Sequence, residues 1–149
     1  MKYIIGISAF YYESSVALLE DGVVKEFLKE ESFTRIKGTN TFPKLSLSFL
    51  KKKYSLSSKN IGACVFYEKP LLSWSRMTYY SMQKPLLRWK INSQQFKNIW
   101  KNGLLFDNHI KNIFNLNSSQ ILFANHHVSH ALTSTIYENY EKRDRKWNF

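Results

Sequence analysis

Two histidines near residue 130 have the spacing of a metal-binding pair. His126 and His130 lie four residues apart in a segment whose pattern predicts a helix. Residues four apart share one helix face, so both imidazoles can point at one divalent metal ion as neutral nitrogen ligands. Such sites normally add carboxylates, waters or substrate oxygens. The spacing alone leaves two interpretations open, a metal pair or exposed and capping histidines, and Asn125 is the predicted N-cap of the helix.

A charged cluster follows the third predicted strand. It consists of Glu30, Glu31, Arg35 and Lys37. A guanidinium suits bidentate contact with phosphate, so Arg35 makes recognition of an anionic substrate group one interpretation of the cluster. A surface loop whose charges pair with one another is the second interpretation, and the residue types do not decide between the two.

A further carboxylate lies just after a predicted buried strand. Glu68 follows Tyr67 at the carboxyl end of that strand, which is where open sheets place their ligands. Glu68 is therefore predicted to orient a substrate or a neighbouring lobe. The alternative is a surface pair with Lys69, in a segment that ends at Pro70.

The elements that must position these residues begin with a strand, a loop and a hairpin. Apolar residues 3–7 predict the first strand, and residues 16–19 and 23–28 predict the second and third. Between the last two stands Asp21-Gly22, whose residues tolerate the positive φ of a type I′ turn. The pattern predicts a tight antiparallel hairpin.

The rest of the chain alternates helices and strands. Pro43 can begin a helix, because its missing N–H is not needed in a first turn, and apolar residues spaced on one face continue that helix to Tyr54. The elements predicted after it are a strand at 61–67, a helical region at 94–114 with a break at Gly103, a strand at 120–124 and a helix at 126–140. This order predicts an α/β fold with a mixed five-stranded sheet and helices on its faces.

Four segments in this order resemble the N-terminal lobe of a known enzyme family. They read GISAFYYESS at 6–15, EESFTRIK at 30–37, FYEKPLL at 66–72 and NHHVSHA at 125–131. Together they resemble carbamoyltransferases of the nodulation and antibiotic O-carbamoyltransferase type, which belong to the actin-like ATPase superfamily. The FYEKP and HHxSHA segments are the most specific. The resemblance implies a ribonuclease-H-like lobe over residues 1–140, followed by a charged tail at 141–149.

The resemblance also implies an activity and its cofactors. Enzymes of this family make carbamoyl-adenylate from carbamoyl phosphate and ATP, and pass the carbamoyl group to an acceptor hydroxyl. A divalent, iron-like metal is held by a histidine pair, which His126 and His130 match, and by carboxylates further along the chain. Arg35 and Glu68 are the candidate cofactor-binding residues. ATP lies between two lobes, so a separate chain supplying the second lobe and the acceptor domain is the implied partner.

Two departures from the family pattern bear on catalysis. Tyr12 stands where the family usually has a histidine, while Glu13 keeps the acid that follows it. Tyrosine has an ordinary pKa of about 10 and is a poor base near neutral pH, so Tyr12 is interpreted as an aromatic packing residue. After His130 the family continues into a strand with an Asp-Gly turn that carries a metal carboxylate, whereas residues 141–149 show no strand pattern. We expect this chain alone to bind metal and ATP weakly and to be inactive.

Composition narrows the remaining possibilities. The 149 residues carry a net charge of +11, which favours association with anions, and one cysteine, Cys64, which excludes an internal disulfide framework. The alternative function is a non-catalytic basic module for nucleic acid or a partner chain, because Arg88-Trp89-Lys90 and Trp100-Lys101 interleave basic and aromatic residues. The basic residues are otherwise dispersed, so nucleic-acid binding is not favoured. Without a long apolar run, the chain is expected to be a cytoplasmic protein that does not enter membranes.

Overall fold

The structure is a computed structural model. It describes residues 2–10, 13–69, 105–125 and 127–129, together with residues 72, 75, 79, 82 and 83. Several predicted features lie outside the described residues. These are Tyr12, His126, His130, the break at Gly103, the two basic and aromatic clusters, the tail at 141–149, and most of the predicted helix at 126–140. None of the described helices is long and apolar enough to cross a membrane.

The chain opens with three antiparallel strands, as predicted. They are β1 (Tyr3–Ser8), β2 (Ser15–Glu20) and β3 (Val23–Lys29). Asp21 and Gly22 join β2 to β3 with φ angles of 50° and 79°. Two successive positive φ values are those of a type I′ turn, whose twist matches that of the flanking strands. The predicted hairpin is confirmed.

Further helices and strands follow in the described part of the chain. Their bounds are α1 (Glu31–Thr34), α2 (Lys44–Lys53), β4 (Ile61–Phe66), α3 (Phe106–Phe114) and β5 (Ile121–Phe123), with a 3₁₀ turn at Ser118–Gln120 before β5. Helix α2 begins directly after Pro43, and α3 lies inside the region predicted to be helical. Helix α1 was not predicted from the sequence, because one turn of four residues is too short to produce a periodic pattern.

The strands form one mixed sheet in the order β3-β2-β1-β4-β5. Strand β1 is antiparallel to β2 and parallel to β4, and β4 is parallel to β5. The predicted α/β class and mixed five-stranded sheet are confirmed. The arrangement is consistent with the ribonuclease-H-like lobe that the resemblance implies.

One face of the sheet, which we call the first face, packs against α2 and α3. Its strand residues are Ile5, Ile7, Val16, Leu18, Cys64, Phe66 and Ile121, and the helices contribute Leu47, Leu50, Phe106, Ile110 and Phe114. The Phe66 and Phe106 rings, whose centroids are 4.4 Å apart, join the sheet to α3. Burial raises the pKa of the Cys64 thiol to about 12. Cys64 is therefore a core residue and not a reactive thiol.

Candidate functional site

Strand register brings the ends of five strands to one edge of the sheet. Ser8 pairs with Ser15 and Ser15 pairs with Lys29, so the end of β1, the start of β2 and the end of β3 lie side by side. Parallel pairing of β1, β4 and β5 adds the carboxyl ends of the last two strands, at Phe66 and Phe123. We call this the carboxyl edge. Ligands of open α/β sheets bind at such an edge.

Every predicted site segment leaves the sheet at the carboxyl edge. The positions are Tyr12 and Glu13 in the β1–β2 loop, Arg35 after β3, Glu68 after β4, and His126 and His130 after β5. The topology thus collects residues that are more than a hundred positions apart in sequence. The described residues among them are Glu13, Arg35 and Glu68.

The loop that follows β1 has an unusual backbone. Phe10 has a φ angle of 76°, which bulky residues rarely adopt, and its ring is buried beside those of Phe42 and Phe66. Its N–H donates to the Asn40 carbonyl at 2.8 Å. Strained backbone of this kind persists only where surrounding contacts hold it, and it is often found at functional sites.

Ser14 anchors the other end of the same loop. The side chain is 1% exposed, its hydroxyl donates to the Thr41 carbonyl, and its N–H donates to the Thr39 carbonyl at 2.8 Å. Its own carbonyl accepts from the Glu30 N–H at 2.9 Å. The segment 39–41 therefore holds both ends of the loop that contains Tyr12 and Glu13.

Glu30 joins this loop to the start of α2. Its side chain is 2% exposed. One carboxylate oxygen accepts from the Leu45 N–H at 2.9 Å, and the other accepts from the N–H and hydroxyl of Ser46, at 2.8 and 2.5 Å. These N–H groups belong to the first turn of the helix, where backbone donors lack intrahelical partners and negative charge is stabilised. Glu30 is a buried helix cap, and neither sequence interpretation, a substrate contact or a surface ion pair, describes it.

Glu31, the other acid of the cluster, and Glu13 of the β1–β2 loop both lie near one lysine at the surface. The Lys29 ammonium lies 2.7 Å from a Glu13 carboxylate oxygen and 3.9 Å from Glu31. The hydrogen bond to Glu13 is the main cause that raises the pKa of Lys29. Because the Glu13 side chain is 47% exposed, the pair stabilises the fold little and the carboxylate can exchange Lys29 for another cation.

Arg35 ends α1 in a left-handed conformation, with φ 60°, and is exposed. Its N–H donates to the Glu31 carbonyl at 2.9 Å. In the described part of the chain, its guanidinium forms no ion pair with a carboxylate, and the same holds for the exposed Lys37 nearby. Of the predicted cluster, Arg35 and Lys37 are thus the members that can bind an anion.

Backbone hydrogen bonds join the end of β4 to both of its neighbours, β1 and β5. The Tyr67 N–H donates to the Ile7 carbonyl at 3.2 Å, and the Ala124 N–H donates to the Phe66 carbonyl at 2.8 Å. Glu68, which follows Tyr67 in the sequence, is half-buried. The backbone at Glu68 therefore leaves the sheet directly after a strand end that hydrogen bonds hold in place at the carboxyl edge.

Asn125 caps the helix that follows β5, as predicted. Its side-chain oxygen accepts from the His127 N–H at 3.3 Å, and its carbonyl accepts from the Ser129 N–H at 2.9 Å. The Ser129 hydroxyl also lies 3.4 Å from the Tyr67 carbonyl, which ties the helix start to β4. Within the described residues, no group of three or more His, Cys, Asp and Glu side chains could hold a metal ion.

The sequence patterns did not indicate an open cavity between α2 and α3. It has a volume of about 490 Å³ and is lined by Thr41, Phe42, Lys44, His109, Asn112 and Ile113. The Phe42 and His109 rings stack with centroids 5.0 Å apart. The only hint of this cavity in the sequence is the pair of polar residues His109 and Asn112 on one face of α3. The fold is needed to show that this face lies opposite the loop before α2.

Comparison with known proteins identifies the family. The profile described as Carbamoyltransferase N-terminus matches residues 3–139. An uncharacterized protein of Synechocystis sp., sll1178, is 34% identical over 146 residues, which are 90% of this chain and 23% of that protein. The nodulation protein NolNO of Sinorhizobium fredii is 26% identical over 145 residues, which are 91% of this chain and 19% of that protein. The chain thus spans less than a quarter of the length of these relatives. It belongs to the carbamoyltransferase N-terminus family.

Proposed function

We propose that this chain is the N-terminal portion of an O-carbamoyltransferase. The complete enzyme makes carbamoyl-adenylate from carbamoyl phosphate and ATP and transfers the carbamoyl group to an acceptor hydroxyl. The observation that carries the proposal is the family match over residues 3–139, nearly the whole chain. The sheet supports it, because its register gathers the matching segments at the carboxyl edge.

The metal site of the proposal consists of His126 and His130. The described Asn125 cap begins a helix at the point where two histidines four apart would share one face. Two imidazole nitrogens suit a divalent, iron-like metal, and the remaining ligands would be carboxylates from beyond this pair. When bound, the metal would polarise phosphoryl oxygens of the substrates.

Charged residues at the carboxyl edge are proposed to bind substrate. Arg35 is exposed and has no carboxylate partner in the described part of the chain, so its guanidinium can contact a phosphate of carbamoyl phosphate or ATP. Glu13 lies in the loop after β1, and Glu68 lies just after β4. Both are proposed to orient the cationic or hydroxyl groups around that phosphate. Holding the reacting groups in the correct relative positions is the contribution to catalysis that one lobe can make.

The rest of the active site comes, in this proposal, from polypeptide beyond these 149 residues. The relatives contain more than four times as much chain, since the match covers 23% and 19% of them. A second lobe would close over ATP and exclude water, and an acceptor domain would bind the hydroxyl substrate. This polypeptide is the proposed partner of the chain.

A chimera tests the proposed function. Residues 3–139 of this chain replace the matching segment of an active carbamoyltransferase of the family. We expect ATP-dependent transfer of isotope-labelled carbamoyl groups from carbamoyl phosphate, because the fold supplies the missing lobe. The isolated chain should form no product above a heat-denatured control.

The parent enzyme without its N-terminal segment is the matched control for the chimera. It should be inactive. A folded chimera with no more product than this control would contradict the proposal, and so would carbamoyl-adenylate formation by the isolated chain.

The histidine pair is expected to account for metal uptake. In the chimera, replacing His126 and His130 together by alanine should reduce bound iron, manganese or zinc from near-stoichiometric to background, because two of the nitrogen ligands are lost. Metal analysis of the dialysed proteins measures the change. His127→Ala is the control and should keep its metal; equal metal content in the double variant would exclude the pair as ligands.

A further inference from the structure

The cavity between α2 and α3 is built from residues outside the segments that resemble the family. Its six lining residues come from the segment 41–44 and from α3. None of them belongs to the segments at 6–15, 30–37, 66–72 or 125–131. With a volume of about 490 Å³, the cavity has the size of a small-molecule site. The resemblance therefore assigns no role to it.

Three polar side chains of the cavity have no hydrogen-bond partner in the described part of the chain. Lys44 supplies an ammonium, His109 an imidazole and Asn112 a carboxamide. None of these groups forms a side-chain hydrogen bond or an ion pair with another described residue, and Lys44 and Asn112 are exposed. All three groups can donate hydrogen bonds. A ligand that accepts hydrogen bonds can therefore meet several donors here.

The charge balance around the cavity favours an anionic ligand. No acid is among its lining residues. The acid of α3, Asp107, pairs with Lys111 at 2.5 Å, and the Glu30 carboxylate is bonded by three donors at the start of α2. The Lys44 ammonium has no such carboxylate among the described residues. Lys51 adds a second positive charge nearby, because its ammonium donates to a backbone carbonyl of a lining residue. The local potential is thus positive.

Part of the cavity lining is aromatic and apolar. The half-buried Phe42 ring stacks on the His109 ring, with centroids 5.0 Å apart and planes 30° from parallel. Ile113 adds an aliphatic side chain to the lining. Aromatic rings pack favourably against a further ring in offset or edge-to-face arrangements. The ligand that fits this lining combines a negative end with a planar apolar body.

We propose that the cavity between α2 and α3 is a ligand site for a small aromatic carboxylate. A carboxylate has two oxygens, which suit the donors of Lys44 and Asn112. The ring of the ligand packs against Phe42 and Ile113. This site does not depend on the proposed function, because none of its lining residues is among the residues proposed to bind substrate or metal.

The cavity is joined to the β1–β2 loop at both ends of that loop. Thr41, a lining residue, accepts through its carbonyl from the Ser14 hydroxyl. The Phe42 ring lies 6.4 Å from the buried ring of Phe10. A ligand packed on Phe42 restrains a support of the loop, so its binding is expected to make the loop more rigid. The cavity is therefore an effector site for the carboxyl edge.

Titration of the 149-residue chain with benzoate tests the ligand site. Amide chemical shifts, measured by NMR at constant pH and ionic strength, report where the ligand binds. We expect saturable shifts at Thr41, His109 and Asn112, with a dissociation constant on the order of 1 mM for so small a ligand. Benzamide keeps the ring but lacks the charge, and inorganic phosphate keeps a charge but lacks the ring. Each should bind about fivefold or more weakly than benzoate.

Lys44→Gln and Lys52→Gln form a matched pair of variants. Both lysines are exposed on α2 and both changes remove one positive charge, but only Lys44 lines the cavity. We expect Lys44→Gln to weaken benzoate binding by about fivefold, and Lys52→Gln to leave it within about twofold. Asn112→Asp places a carboxylate in the cavity and should also weaken binding by about fivefold, through repulsion of like charges.

Amide hydrogen exchange measures the link to the β1–β2 loop. Saturating benzoate should slow exchange at Phe10 and Ser14 by about threefold or more, because their N–H groups donate to the segment 39–40 beside the cavity. Equal weakening by the Lys44 and Lys52 variants would show that net charge alone attracts the anion and would overturn the site. Phosphate or benzamide binding as tightly as benzoate would overturn it too. Benzoate binding that leaves exchange at Phe10 and Ser14 unchanged would overturn the effector role.

Discussion

Replacing Glu30 by alanine is expected to lower the free energy of unfolding by about 2–4 kcal/mol. The change leaves the N–H groups of Leu45 and Ser46 and the Ser46 hydroxyl without their acceptor, and the Ser46 groups are buried. It also removes a negative charge from the start of α2, where the helix dipole favours one. The loss is large because the carboxylate is 2% exposed, so the donors that lose it are largely shielded from bulk water.

Chemical denaturation of the full chain measures this effect. Glu31→Ala is the neighbouring control: its carboxylate accepts from the Gly38 N–H at 3.1 Å at the surface, so the change should cost about 0.5 kcal/mol or less. Glu30→Gln should resemble Glu30→Ala, since an amide has only one acceptor oxygen for three donors. Equal stabilities of the Glu30 and Glu31 variants would show that Glu30 is not the cap described above.

Glu30 should also affect the loop that contains Tyr12 and Glu13. Its N–H donates to the Ser14 carbonyl, and Ser14 is bound in turn to the segment 39–41. Loss of the cap at α2 is therefore expected to speed amide hydrogen exchange at Phe10 and Ser14. A buried carboxylate of this kind is a structural support for the carboxyl edge, not a ligand within it.

Local patterns were sufficient to predict the five strands, their hairpin turn and α2, although not the single turn of α1. Residues with alternating or continuous apolar character marked β1 to β5, and Asp21-Gly22 marked the turn because both residues tolerate positive φ. Pro43 and the apolar spacing after it marked α2. Each of these signals acts over a few residues, so each could be recognised without knowledge of the sheet.

The interactions that shape the carboxyl edge could not be predicted in the same way. Glu30 bonds to Ser46, sixteen residues away, and nothing in the residues near Glu30 distinguishes it from the surface acid Glu31. Phe10 adopts a positive φ that its residue type disfavours, because long-range contacts with Asn40 and Phe42 hold it. The candidate site residues were identified from the resemblance to the family. The residues that hold their segments in place, such as Glu30 and Phe10, can be recognised only in the folded structure.

In the chimera described above, Tyr12→His is expected to raise the rate of carbamoyl transfer by about 100-fold or more, the usual contribution of a positioned general acid or base. Histidine has an ordinary pKa of about 6.5 and exchanges protons near neutral pH, whereas the ordinary pKa of tyrosine is about 10. The β1–β2 loop is held at both ends by residues 39–41, which restricts how far an imidazole introduced within it could move. Turnover numbers at saturating carbamoyl phosphate and ATP measure the change.

Tyr12→Phe in the same chimera separates proton transfer from packing. If Tyr12 only packs, the phenylalanine variant should match the unchanged chimera within about twofold, because it retains the ring and loses the hydroxyl. In the isolated 149-residue chain, Tyr12→His should give no product, since no second lobe closes over ATP and excludes water. A chimera whose rate is the same with histidine, tyrosine and phenylalanine would show that this position takes no part in proton transfer, and the acid that follows it, Glu13, would then be the next group to test.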